Sequence, residues 1–302
     1  MNGRLPLLCP LAAVVLALGT ACVPGGIDDP VPSQNVPGVI ESTSPSTGGP
    51  AMNPQDLDDS VVFLKITVSG HVLDDGGGNG DPVRSDEVRA VGSCTGWVAG
   101  GGGEIVTAGH CVDPDEGRAA VIDAYRAGAE PIGGDGLKAE FEIRVEAGQP
   151  DIDGATIKDW VPVEVVDVVP YEQGNLALLR GPGRPASTPP PMEIAESGLQ
   201  PGDRVTSIGF DGADADVSAT SGIRAPSFAA GAVSARDVSP QGVTGYEVAA
   251  DVSSGMAGGP TVDEWGRVVG VNTYVVRGGR RDFNIVTTTS ELRGILARNG
   301  VG

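Results

Sequence analysis

From Ser60 onward, short β-branched runs recur between glycine-rich breaks. Branching at Cβ suits the pleated, half-buried surface of a sheet, so these runs are strand signals. The first set is Val61–Val68, Gly96–Ala99, Glu104–Ala108, Ala139–Glu146, Val161–Val169 and Leu176–Leu179. The stretch Gly181–Pro191 then interrupts it, because prolines in series cannot sit inside a sheet. A second set follows: Arg204–Phe210, Gly231–Val238, Gly245–Ala250, Arg267–Thr273 and Phe283–Thr287. The 47 glycines and 24 prolines favour short strands and many turns. The last periodic segment, Thr288–Arg298, has capping-box spacing between Thr288 and Glu291 and Gly300 just beyond its end, which predicts a short C-terminal helix. The chain therefore reads as all-β, in two halves joined by a proline-rich connector.

The segment before Ser60 is different. Arg4 precedes an apolar run from Leu5 to Leu18 and then small residues, the layout of a signal peptide over residues 1–21. The run is too short to span a bilayer as a helix. Leu18-Gly19-Thr20-Ala21-Cys22 resembles a bacterial lipoprotein processing site, which implies lipidation of Cys22; the alternative is ordinary cleavage near Ala21. Residues 22–56 are rich in Pro, Gly, Ser and Asp and read as a disordered tether, with a mean span of roughly 30 Å. The expected location is the cell envelope or the outside of the cell.

A net charge of −20 excludes nucleic acid as a partner on electrostatic grounds, and leaves the membrane reachable only through an anchor at Cys22. Cys94 and Cys111 are the two cysteines in the body of the chain, and a lone pair in an exported protein reads as one disulfide. His71 and His110 are the two histidines, too few with those cysteines paired for a metal site, and no phosphate-binding glycine motif precedes a helix; no metal or cofactor is expected.

Three segments carry chemical information. Ser93-Cys94-Thr95-Gly96-Trp97-Val98 precedes Ile105-Val106-Thr107-Ala108-Gly109-His110-Cys111. Gly174-Asn175-Leu176-Ala177-Leu178-Leu179 follows, and then Asp251-Val252-Ser253-Ser254-Gly255-Met256-Ala257-Gly258-Gly259-Pro260. Together they resemble the histidine, aspartate and nucleophile motifs of trypsin-like serine proteases, in the chymotrypsin chain order. The resemblance covers about residues 60–298 and implies two six-stranded antiparallel β-barrels of chymotrypsin type with a short C-terminal α-helix. It places a protease domain at 57–302, with barrel one at about 57–180 and barrel two at about 192–288. It also implies that the Cys94–Cys111 disulfide pins the turn carrying His110.

Two of the three catalytic positions depart from that pattern. Asn175 stands where the family has its aspartate; an amide carries no charge to stabilise imidazolium and can favour the wrong tautomer, a change that costs about 10⁴ in turnover in trypsin. Ala257 stands where the serine should be, and a methyl cannot attack a carbonyl; losing the serine costs about 10⁶ in subtilisin. Met256 replaces a usual Asp or Asn, which argues against activation by an inserted N-terminus. The backbone N–H groups of Gly255 and Ala257 are expected to keep an oxyanion hole. Asp251 matches the acid at the floor of the primary pocket, where it would select a basic side chain, or else is a solvated loop acid; Thr273 lies on the strand lining that pocket. The reading is an inactive protease homologue that binds a peptide or protein. The alternatives are an active peptidase using Ser253 or Ser254, and a binding module whose surface is unrelated to the cleft.

Overall fold

The computed structural model describes residues 54–74, 83–128, 137–150, 157, 159–181, 190–211, 225–238, 243–278 and 281–302. The signal segment, Cys22 and the tether up to residue 53 lie outside the described residues, as does most of the proline-rich connector. A 3-10 turn, Pro54–Ser60, leads into the first half: β1 (Val61–Asp74), β2 (Val83–Arg84), β3 (Val88–Val98), β4 (Glu104–Ala108), α1 (Pro114–Gly128), β5 (Lys138–Gly148), β6 (Val161–Val169) and β7 (Leu176–Arg180). The second half holds β8 (Arg204–Gly209), β9 (Ser227–Val238), β10 (Thr244–Val248), β11 (Pro260–Val262), β12 (Val268–Gly278), β13 (Arg281–Thr287) and α2 (Thr289–Arg298).

Each half closes on itself. The first runs β1-β3-β4-β7-β6-β5 and closes by pairing β5 with β1, with β2 extending β1 at its far end. The second closes in the order β10-β13-β12-β11-β8-β9. All these pairings are antiparallel. The architecture is that of two six-stranded β-barrels of chymotrypsin type with a short C-terminal helix.

The alternation of side chains along a strand explains why the inner strands read as continuous apolar runs. On β1, Val62, Leu64, Ile66 and Val68 fill the first barrel, while Val61 and Phe63 face the other way, into a cluster shared by both halves. On β7, Ala177 and Leu179 point into the barrel and Leu176 and Leu178 into the shared cluster. That cluster also takes Ile208, Phe210, Val262 and Val271 from the second half, and Leu292, Ile295 and Leu296 of α2. The second barrel has its own interior of Val205, Val233, Tyr246, Val248, Val269 and Val286. The barrels therefore meet across a packed apolar wall, and the candidate site sits at its edge. α2 begins where its cap predicts: Thr288 Oγ1 accepts from the Glu291 N–H at 3.2 Å.

Three elements were not expected from sequence. β2 is two residues long and pairs with the end of β1. β11 is three residues long and lies directly behind the Gly-Gly turn. α1 follows the histidine turn, with Pro114 in its first position and Asp115 and Glu116 in its first turn, which are ordinary start signals. Its Val121 is fully buried against the first barrel. The disulfide Cys94–Cys111, with Cα atoms 6.3 Å apart, ties β3 to the turn between β4 and α1. Closing a 17-residue loop is worth about 3 kcal/mol in the chain-entropy model.

Candidate functional site

β4 ends at Ala108, and a 3-10 turn, Gly109–Cys111, presents His110. The β4–β7 register places Ala108 opposite Leu176, so the residue before β7, Asn175, arrives beside the histidine. Asn175 is 2% exposed and has φ of 54°, in the left-handed region that asparagine tolerates better than most side chains. Its Oδ1 accepts from the His110 backbone N–H at 2.8 Å and lies 3.1 Å from His110 Nδ1.

These two contacts decide the tautomer. A backbone N–H can only donate, so it holds the amide oxygen, not the nitrogen, toward the histidine. The ring then carries its proton on Nδ1 and leaves Nε2 free as an acceptor. The expectation that the amide favours the wrong tautomer is thus corrected: the geometry is retained and the charge is lost. Asn175 Nδ2 is buried without a hydrogen-bond partner.

His110 sits below the ordinary imidazole value of 6.5, chiefly because burial disfavours the cation, with the Asn175 hydrogen bond and the Glu116 charge opposing. A lowered value in the folded state means the unfolded chain binds more protons below pH 6.5. The stability contributed by neutral His110 is therefore full above that pH and is lost as pH falls toward the folded value. NMR titration of the His110 ring is expected to give a midpoint below 6.5, rising in Asn175→Asp as a carboxylate replaces the amide. An unchanged midpoint would refute this account of the pair.

The loop at Ala257 is clamped from both barrels. Thr95 on β3 donates its N–H to the Ala257 carbonyl at 2.9 Å and its hydroxyl to the Gly255 carbonyl at 2.8 Å. The same hydroxyl accepts from the Phe210 N–H at 2.9 Å. Thr107 Oγ1 donates to the Thr95 carbonyl at 2.8 Å. From the other side, the Gly258 N–H donates to the Asn272 carbonyl at 2.8 Å and the Asn272 N–H to the Gly259 carbonyl at 2.9 Å. Thr95, Thr107 and Asn272 were not singled out from sequence. The first two lie inside the histidine motif, where their hydroxyls were the available signal.

The conformation of this loop corrects the expected oxyanion hole. Ser254–Met256 forms a 3-10 turn in which the Ala257 N–H donates to the Ser254 carbonyl at 3.2 Å. One of the two expected oxyanion donors is therefore satisfied internally. Met256 is buried, at 2% exposure, beside Gly209. Val61 is fully buried within β1, and the chain continues before it into the Pro54–Ser60 turn.

Of the two readings of Asp251, its exposure fits one. Asp251 is exposed, the arrangement of a solvated loop acid rather than of a buried pocket floor. Thr273 is buried on β12, and its hydroxyl donates to the Ile285 carbonyl of β13 at 2.7 Å. Ser253 Oγ is buried without a partner, whereas Ser254 is exposed and lines the same cavity as His110. Among the described residues, Cys94, His110 and Cys111 bring ligand atoms within 4.8 Å of one another. The two sulfurs are bonded to each other, so this set offers no thiolate to a metal.

Residues 94–271 match the family profile described as the trypsin-like peptidase domain. The chain belongs to the trypsin-like peptidase domain family. Among solved structures, the trypsin-like domain is similar to the Rv3671c protease from M. tuberculosis in its active form: 19% identity, 82% of this chain and 84% of that one covered, and a TM-score of 0.51. It is also similar to Deg5, at 20% identity over 80% of this chain and 88% of that one, with a TM-score of 0.46. A search of curated proteins returned no match. Within this trypsin-like domain, His110 and Asn175 are paired, and Ala257 stands at the head of the Gly258-Gly259-Pro260 turn.

Proposed function

We propose that this protein is an exported trypsin-like domain that binds a peptide or protein at the cell envelope without hydrolysing it. The observation that carries this reading is Ala257 at the head of the Gly258-Gly259-Pro260 turn, held there by both barrels with no oxygen to attack a carbonyl. The internal bond from the Ala257 N–H to Ser254 adds a second obstacle, since a developing oxyanion would have to displace it. The intact clamp and the His110–Asn175 pairing support retained binding over simple decay. Cys22 would supply the attachment of an envelope-bound form.

A second reading rests on Ser254, an exposed residue lining the same cavity as His110. A fluorophosphonate probe separates the two. The wild-type chain is expected to remain unlabelled under conditions that label trypsin to completion. Labelling that disappears in Ser254→Ala and in His110→Ala would establish the second reading instead.

A further inference from the structure

Cys94, His110 and Cys111 come from two elements, yet their ligand atoms lie within 4.8 Å of one another. Cys94 stands on β3, while His110 and Cys111 share the turn that follows β4. Two thiolates and one imidazole are a donor set that suits zinc, and they leave a fourth tetrahedral position to solvent. In the oxidised chain the sulfurs are bonded to each other and have no thiolate to give. Two-electron reduction releases them. The Cα atoms are 6.3 Å apart. From that spacing two freed sulfurs can each approach one ion to about 2.3 Å.

The histidine is already oriented as a ligand. A metal-bound imidazole normally donates its other N–H to a fixed acceptor, which sets the tautomer and the ring plane. Here that acceptor is Asn175 Oδ1, 3.1 Å from Nδ1 and itself held by the His110 backbone N–H at 2.8 Å. Nε2 keeps its lone pair. All three side chains line a cavity of about 290 Å³, which gives an ion and a small reductant a way in although the cysteines are buried. The cavity also takes in Ile66, Val68 and Ile143, and its acids are Asp113 and Glu116. Among the described residues lining it there is no lysine or arginine to repel a cation. A zinc ion with two thiolates and a neutral imidazole carries no net charge, which suits apolar walls. Free thiolates in the same place would be penalised by burial.

We propose that the reduced chain binds one zinc ion through Cys94 Sγ, Cys111 Sγ and His110 Nε2, so that disulfide and metal are alternative cross-links between β3 and the histidine turn. The reductant is a dithiol. It gives up two electrons and two protons, closes to its own disulfide and leaves Cys94 and Cys111 as thiols. Zinc binding then expels one proton from each thiol. Zinc also takes the Nε2 lone pair, so the metal and any role of His110 as a base exclude each other. The site does not depend on whether the chain cleaves peptides.

The test uses the full chain carrying Cys9→Ser and Cys22→Ser, which leaves Cys94 and Cys111 as its cysteines. The chain is reduced with dithiothreitol, freed of it by anaerobic desalting, and titrated with zinc chloride against a chromogenic chelator and, in parallel, with cobalt(II). The reduced chain is expected to bind one equivalent of zinc, and the oxidised chain to bind at least about 100-fold more weakly. Cobalt should give thiolate-to-metal charge-transfer absorption and the visible bands of a four-coordinate ion. Cys94→Ser and His110→Ala are each expected to weaken zinc binding about ten-fold or more, and zinc should shift the His110 ring resonances. Diamide, which takes two electrons and two protons from a dithiol, should re-form the disulfide at least about ten-fold more slowly in the zinc-loaded chain. If reduction alone abolishes the near-ultraviolet circular dichroism, zinc is expected to restore it. The site would be overturned by any of three results: no stoichiometric binding by the reduced chain, a cobalt spectrum without the thiolate band, or affinity unmoved in either variant.

Discussion

Ala257→Ser alone is expected to give little hydrolysis, and Ala257→Ser with Asn175→Asp about 10⁴ more at neutral pH. The serine restores the nucleophile, whose absence is worth about 10⁶ in turnover in a working protease. His110 is already oriented: its backbone N–H holds the Asn175 oxygen toward Nδ1, so Nε2 is free to accept a proton. What the single variant lacks is charge. When the ring becomes imidazolium in the transition state, an amide offers only a dipole, and burial works against the cation. A carboxylate at 175 removes that deficit. Both variants share a further barrier, because the Ala257 N–H is bonded to Ser254. One missing oxyanion donor costs about 10²–10³, so even the double variant should fall below a natural protease by that factor unless substrate opens the turn. The carboxylate has its own cost. Its second oxygen would occupy the site of Asn175 Nδ2, which already has no hydrogen-bond partner; an ionised oxygen left so costs more than the neutral amide it replaces, so the variant should melt lower than the wild type. Fluorophosphonate titration and turnover of a chromogenic ester measure the first effect, and thermal melting the second. Equal turnover in the single and double variants would show that the missing charge at 175 is not what limits this site.

The parts legible in sequence were those that local chemistry dictates. Val161–Val169 is a strand because four of its first six residues are valine, and it appears with those bounds. The Thr288 cap appears because its hydroxyl satisfies a helix N–H that has no other partner. The His110–Asn175 neighbourhood was legible from motif order, since the β4–β7 register follows from the fold. The illegible parts depend on tertiary partners. β3 begins at Val88, well before the Gly96–Ala99 run, because pairing with β1 carries through Gly92 and Ser93, which have weak strand character of their own. Likewise, nothing in Ser253-Ser254-Gly255-Met256-Ala257 dictates which way the Ala257 N–H points. The 3-10 turn that captures it is visible only in three dimensions.

The two glycines after Ala257 make a prediction about how far this loop can drift. Gly258 has φ of 87°, and a Cβ there would lie inside 3.0 Å of Thr107 Oγ1, the Thr95 carbonyl oxygen and the Ala108 amide nitrogen. None of these can retreat cheaply. Thr95 is bonded to the Ala257 and Gly255 carbonyls, and Ala108 sits in the β4–β7 ladder two residues before His110. Gly258→Ala must therefore strain the backbone and push apart the barrel-to-barrel clamp, a combination expected to cost about 4 kcal/mol or more. For a domain of this size that corresponds to a fall in Tm of roughly 8–16 °C, or to no folded protein. Gly101→Ala is the control: its Cβ meets nothing within 4 Å, and it should melt within about 2 °C of wild type. The stereochemical demand of the clamp does not depend on the side chain at 257, because the same atoms join the two barrels. A Gly258→Ala protein melting like wild type would mean that the loop is not under this constraint. The measured fall would instead show that the turn is held by the packing around Gly258, where any side chain costs the barrel interface.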